Sequence, residues 1–249
     1  DSGSFAAVLT PFTNLTSSAV AWADLDEDGD LDLVLTGYDK NTTPQTLVYR
    51  NDGGGVFTSI TSGLPGRARS ALAIADFDGD GHLDVALSGL SGASVGPCGA
   101  AIYRGDGTLH FALAQLLTSV YGGGMSWGDM NGDGRPDLAY CGSQSFGSPL
   151  TRIAVNNGNG TFTENSYGLP AVSEGALAWG DVNGDRRLDL AIAGFDSTQT
   201  ITRVYMNIGA PVDSLPTPPV GLNFTLSNTR AVLRWSPGTD AETPQAGLS

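Results

Sequence analysis

Four aspartate-rich stretches carry side chains suited to gripping a hard cation. They are Asp24-Leu25-Asp26-Glu27-Asp28-Gly29-Asp30-Leu31-Asp32, Asp76-Phe77-Asp78-Gly79-Asp80-Gly81-His82-Leu83-Asp84, Asp129-Met130-Asn131-Gly132-Asp133-Gly134-Arg135-Pro136-Asp137 and Asp181-Val182-Asn183-Gly184-Asp185-Arg186-Arg187-Leu188-Asp189. Within each, positions one, three, five and nine offer carboxylate or amide oxygens, and position seven (Asp30, His82, Arg135, Arg187) offers its backbone carbonyl. Five or more oxygens around one point suit calcium, whereas magnesium demands a tighter octahedron and keeps more water. The expected cages are Asp24, Asp26, Asp28 and Asp32; Asp76, Asp78, Asp80 and Asp84; Asp129, Asn131, Asp133 and Asp137; and Asp181, Asn183, Asp185 and Asp189. Gly29, Gly81 and Gly134 occupy position six, where a sharp turn favours a residue without Cβ. Arg186 breaks that rule and makes the fourth site the weakest candidate.

Acidic hairpin turns are the plainer explanation of one such loop, because Asp-Gly and Asn-Gly are common hairpin signals. Four copies whose first residues lie 52, 53 and 52 apart favour a repeated metal loop instead. A helical EF-hand does not fit: position twelve of the first loop is Leu35 rather than a bidentate Glu.

The loops must be held by strands. Before them stand Ala19–Ala23, Ala71–Ala75, Gly124–Gly128 and Ala176–Gly180, small residues with one large residue at a fixed place. After them come Leu33-Val34-Leu35, Val85-Ala86-Leu87, Leu138-Ala139-Tyr140 and Leu190-Ala191-Ile192, which Gly37, Gly89, Gly142 and Gly194 are expected to close. A third strand follows around Val48, Ile102, Ile153 and Val204, and a fourth starts at Phe57, Phe111 and Phe162. Four short antiparallel strands per repeat make the blade of a β-propeller. The fourth repeat lacks its own fourth strand, and Phe5 precedes Asp24 by 19 residues, as Phe57 precedes Asp76. The expected fold is therefore all-β, a propeller of four four-stranded blades whose last blade is closed by the N-terminal strand, protecting its open edge.

These residues resemble the FG-GAP or VCBS repeat family, the calcium-loop propellers of integrin α-subunits and many bacterial surface proteins. The Trp-Gly-Asp lead-in, the loop and the Gly after the second strand carry the resemblance over about residues 3–207. It implies an extracellular propeller that binds calcium and recognises proteins or glycans. Family propellers usually have about seven blades, so the alternative is part of a larger ring.

Residues 1–209 are expected to form the propeller, 210–219 a Pro-rich linker, and 220–249 an incomplete segment resembling the opening of a fibronectin type III domain, which needs far more chain to enclose a core. The net charge of −14 is mostly a metal-site signature, since 14 of the assigned ligands are Asp, and it argues against nucleic acid as partner. No apolar run is long enough to span a bilayer. No signal peptide precedes Asp1, and a start at Asp rather than Met reads as processed or truncated. Cys98 and Cys141 come from neighbouring repeats; a disulfide and two buried thiols are both open. Glycosylation sequons begin at Asn14, Asn41, Asn159 and Asn223.

Other motifs carry less. Gly92-Ala93-Ser94-Val95-Gly96 fits a nucleophile elbow without the helix that makes one work. Arg104-Gly105-Asp106 spells an integrin-recognition tripeptide but aligns with Arg50-Asn51-Asp52, a turn inherited from the repeat. His82 and His110 are too far apart in the repeat for a zinc or acid–base centre. Trp22, Trp127 and Trp179 are read as core residues ahead of sugar platforms. Together these features point to a non-enzymatic, calcium-stabilised extracellular propeller with an adhesive or architectural role, binding a protein or glycan at the cell surface. A glycan-binding lectin is the alternative, and so is a subunit of an extracellular assembly joined by strand exchange.

Overall fold

The computed structural model describes residues 11–92, 97–209, 220–227 and 230–236. The first repeat folds as β1 (Thr16–Ala23), β2 (Asp32–Tyr38), β3 (Pro44–Asn51) and β4 (Phe57–Ile60), and the second as β5 (Ala68–Ala75), β6 (Asp84–Leu90), β7 (Cys98–Gly105) and β8 (Phe111–Leu116). The third comprises β9 (Met125–Gly128), β10 (Asp137–Ser143), β11 (Pro149–Asn156) and β12 (Phe162–Asn165). The fourth has β13 (Ser173–Gly180), β14 (Asp189–Phe195) and β15 (Thr200–Tyr205). Each repeat is one antiparallel meander, four-stranded three times and three-stranded in the last. The expected strand-by-strand pattern therefore holds among the described residues. Val220–Ser227 (β16) and Arg230–Ser236 (β17) pair as a separate two-stranded sheet.

Side-chain alternation turns these meanders into a stack, because successive strand residues face opposite sides of a sheet. Val85 and Leu87 of β6 pack with Val34 and Val48 of the first sheet, while Ala86 between them packs with Leu138 and Tyr140 of the third. In β10 the same division sends Leu138 and Tyr140 one way and Ala139 and Cys141 the other, against Val172 and Ile192. Both central strands are buried at every position. Full burial of one such Leu or Val is worth about 1.5–3 kcal/mol, so the interfaces between sheets form the core.

Sheet packing runs from first to second, second to third and third to fourth, and among the described residues no comparable packing joins the fourth to the first. The sheets are propeller-like but do not close. The N-terminal strand expected to close them lies in residues 1–10, outside the described residues, as do the linker 210–219 and most of the nucleophile-elbow motif.

Local backbone repeats as faithfully as sequence. A bulge interrupts the inner strand after Thr16, Ala68 and Ser173, and the residue after each (Ser17, Arg69, Glu174), like the equivalent Gly122, has φ between 46° and 61°. At this inner rim Arg69 pairs with Glu174 at 2.5 Å, tying the second repeat to the fourth. Gly37, Gly89, Gly142 and Gly194 do not close their strands as expected; each strand runs one residue further. They are needed for close approach instead. With φ from 140° to 159°, a Cβ at Gly37, Gly89 or Gly142 would lie 2.7–2.8 Å from the carbonyl oxygen of Thr16, Ala68 or Tyr121.

The two cysteines are free. Neighbouring sheets do approach at Cys98, but its sulfur faces Ser145 Oγ at 3.4 Å. Cys141 is buried in the apolar cluster on the opposite side of β10, so strand alternation points it away from Cys98.

Candidate metal centre

Each acidic loop joins the inner strand of its repeat to the second strand, and its side chains are folded inward by the loop's own backbone. At position one, Asp24 accepts the N–H groups of Asp28 (3.1 Å) and Gly29 (3.0 Å). Asp76 accepts those of Gly79 (2.8 Å) and Gly81 (2.9 Å). Asp129 accepts from Gly132, Asp133 and Gly134, and Asp181 from Gly184, Asp185 and Arg186. At position five, Asp28, Asp80, Asp133 and Asp185 each accept the N–H of position seven, that of Asp30, His82, Arg135 and Arg187, at 2.9–3.0 Å. At position three, Asp78, Asn131 and Asn183 accept the N–H of position five.

These bonds need left-handed backbone. Position six has φ of 93°, 94° and 78° at Gly29, Gly81 and Gly134, and Arg186 takes 64°. The fourth loop thus keeps the shape of the others despite its side chain. Position four is left-handed too, glycine three times and Glu27 once (φ 61°). That second constraint was visible as Gly79, Gly132 and Gly184 in the sequence.

In the first loop, oxygens of Asp24, Asp26 and Asp28 lie within 4.8 Å of one another, as do those of Asp76, Asp78 and Asp84 in the second. Asp26 Oδ1 is buried yet has no hydrogen-bond partner among the described residues. Burial, reinforced by Asp28 and Asp24, pushes its carboxyl above the usual range. A buried carboxylate oxygen with nothing to bond, facing two more carboxylates, is a polarity that a cation completes. These acidic clusters can hold a metal ion.

Loops three and four are partly neutralised from within. Arg135 pairs with Asp133, and Arg187 lies 3.7 Å from Asp185. Asn131 and Asn183 each donate to the same position-five carboxylate at 2.9 Å. In the second loop, Arg104 pairs with Asp78 at 2.5 Å and lies over the Phe77 ring. The arginine of the Arg-Gly-Asp tripeptide is therefore engaged with its own repeat. His82 reaches across to Glu27 of the first loop at 2.5 Å, and that bond raises its pKa.

Position nine has a structural duty beside any ligand role. Asp32, Asp84, Asp137 and Asp189 are buried. One oxygen of each accepts the N–H of loop position two: Leu25, Phe77, Met130 and Val182. The other accepts an N–H from the last residue of the third strand, Asn51, Gly105 or Asn156, or from Asn207 two residues past it. Burial holds the Asp84 carboxyl up at about 7 and that of Asp137 at about 6. Sequence reasoning missed the asparagines at or just past the end of the third strand. Asn156 and Asn207 also donate their amides, at 2.7 Å, to the carbonyls of Phe77 and Met130 in the preceding repeat. Their recurrence 18 or 19 residues after position nine, as Asn51, Asn156 and Asn207, was the available signal.

A family model for the FG-GAP-like repeat matches residues 24–87 and again 129–192, together 128 of the 249 residues. Each match starts at the first aspartate of one loop and runs through the next loop into the strand behind it. A search of curated proteins finds no match.

Proposed function

The chain belongs to the FG-GAP-like repeat family, and on that footing we propose that it is a calcium-stabilised, extracellular, propeller-type interaction module without catalytic chemistry of its own. The observation that carries the metal assignment is the Asp26 oxygen, buried and unpaired beside Asp24 and Asp28. Asp24, Asp26 and Asp28 would hold one ion, and Asp76, Asp78, Asp80 and Asp84 a second. Asp129, Asn131 and Asp133, and Asp181, Asn183 and Asp185, would hold two more with lower affinity. The ion supplies charge neutralisation and cross-linking of the loop. Hard carboxylate and amide oxygens with no nitrogen or sulfur donor favour calcium over zinc. The interaction role and the extracellular setting rest on the family, whose repeats generally mediate protein contacts. The described residues contain no helix long and apolar enough to cross a membrane.

Calcium titration by calorimetry, with thermal unfolding in calcium and in excess chelator, tests this. An ion at 100 times its dissociation constant stabilises the folded state by about 2.7 kcal/mol per site. Asp76→Ala should abolish binding at the second loop, whereas Asn183→Ala should remove only the weaker binding at the fourth. An identical melting curve with and without chelator would refute the assignment.

A further inference from the structure

The junctions between repeats are all built from the same pairs, and one pair is left unmatched. Loop position two of each repeat lies under the large residue two places before the next loop. Leu25 and Ile74 share one cluster, Phe77 stacks on Trp127 at 6.5 Å, and Met130 and Trp179 share the third cluster. Among the described residues, the members without such a counterpart in another repeat are Val182 of the last repeat and Trp22 of the first, which meets Phe57 of its own repeat at 6.0 Å; they are 60% and 52% exposed.

The faces behind them agree. Val48, Ile102 and Ile153 are buried at these junctions, and their equivalent Val204 is 52% exposed. Leu72, Met125 and Leu177 pack on the clusters, and their equivalent Val20 is 61% exposed. The polar link repeats as well. Asn156 donates to Pro136 in its own repeat and to Phe77 in the preceding one. Asn51 makes the first of these bonds, to Leu31; the counterpart of the second acceptor is the Val182 carbonyl.

A cavity completes the set. Phe111, the first residue of a fourth strand, packs among Leu25, Leu64, Ile74, Leu83 and Tyr103. Two repeats on, the equivalents Met130, Leu169, Trp179, Leu188 and Tyr205 line an apolar cavity of about 520 Å³. It has the lining of a seat for the phenylalanine of a fourth strand, and the repeat register assigns that place to Phe5.

From these observations we infer that the fourth repeat docks the first repeat of a second copy of this chain. The second copy sets Trp22 on Val182 and Asn51 on the Val182 carbonyl, and its N-terminal segment adds the missing strand with Phe5 in the cavity. The occupant is a second copy because this junction continues, in register, the one between the third and fourth repeats, while among the described residues no comparable packing joins the chain's own first and fourth sheets. The contact is head-to-tail, so it closes into a ring or extends as a filament. It does not depend on the metal assignment.

Analytical ultracentrifugation of the full chain over a wide concentration range tests this. The unmodified chain should associate, and Val182→Arg or Trp22→Glu should each be monomeric. Mixing these two variants should restore a one-to-one pair, because each retains the end the other has lost; misfolded proteins would not do so. Phe5→Ala should weaken association. In a Cys98→Ser background, Phe5→Cys with Leu188→Cys should oxidise to a link between chains. A monomer at all concentrations, a link within a single chain, or a mixture that fails to pair would each overturn the inference.

Discussion

Replacing Asp32 by alanine separates the brace of the first loop from that loop's ligands, Asp24, Asp26 and Asp28. Its two oxygens accept the Leu25 N–H at 3.0 Å and the Asn51 N–H at 2.9 Å, and the side chain is fully buried. Asp32→Ala leaves both donors without that acceptor, and an unsatisfied buried donor costs about 1–3 kcal/mol. The Leu25 donor is buried and carries the full cost, while the Asn51 donor is only partly buried and water relieves some of its loss. The carboxyl itself is held above its usual pKa, chiefly by burial, so removing it also removes a buried charge. The balance is a loss of about 2 kcal/mol, which for a chain of this size lowers Tm by roughly 4–8 °C. Asp28→Ala is the control, because Asp28 is exposed and its loop bond, to Asp30 N–H, is open to water. In excess chelator it should change stability by less than ~0.5 kcal/mol, yet in calcium it should lose the metal's stabilisation. Urea unfolding followed by tryptophan fluorescence, with and without calcium, reads both. If Asp32→Ala matches the unmodified chain in chelator, or Asp28→Ala falls as far as Asp32→Ala does, the division between brace and ligand is wrong.

Two further outcomes follow from the loops. Arg186→Gly should stabilise the protein, since a left-handed non-glycine residue costs about 1–2 kcal/mol and φ is 64° there; with part of that returned as unfolded-chain entropy, a net gain of about 0.5–1 kcal/mol in urea unfolding is expected. In chelator, stability should fall as pH rises from 4 to 7.5. Asp84 and Asp137 are raised to about 7 and about 6, so the folded state holds their protons more tightly than the unfolded chain, and their contribution is complete below about pH 4 and lost as pH climbs through those values. His82, raised by Glu27, acts in the same direction. The lowered carboxyls of Asp52, Asp106 and Asp196 act at lower pH, below the unfolded carboxylate range. Thermal melts at fixed ionic strength check the slope, and stability that rises over this range would contradict it.

The sequence by itself determined the repeat, its loops and most of its strands. Period, Asp spacing and glycine placement are local chemistry: Asp24 folds its loop by bonding N–H groups four and five residues on, and Gly29 supplies the left-handed turn wherever the repeat sits. The same locality hid other features. Arg186 looked like a broken site because a sequence shows the cost of a side chain at positive φ but not the bonds to Asp181 that outweigh it. Asp32, Asp84, Asp137 and Asp189 looked like ligands alone, because their partners at or just past the end of the third strand lie 18 to 21 residues away in the chain. The pairing of Arg104 with Asp78, the separation of Cys98 from Cys141 and the exposure of Trp22 while Trp127 is covered were decided only by tertiary structure. Each depends on which sheet face meets which neighbour, and a repeat encodes identical faces at every junction without encoding where the stack of sheets stops.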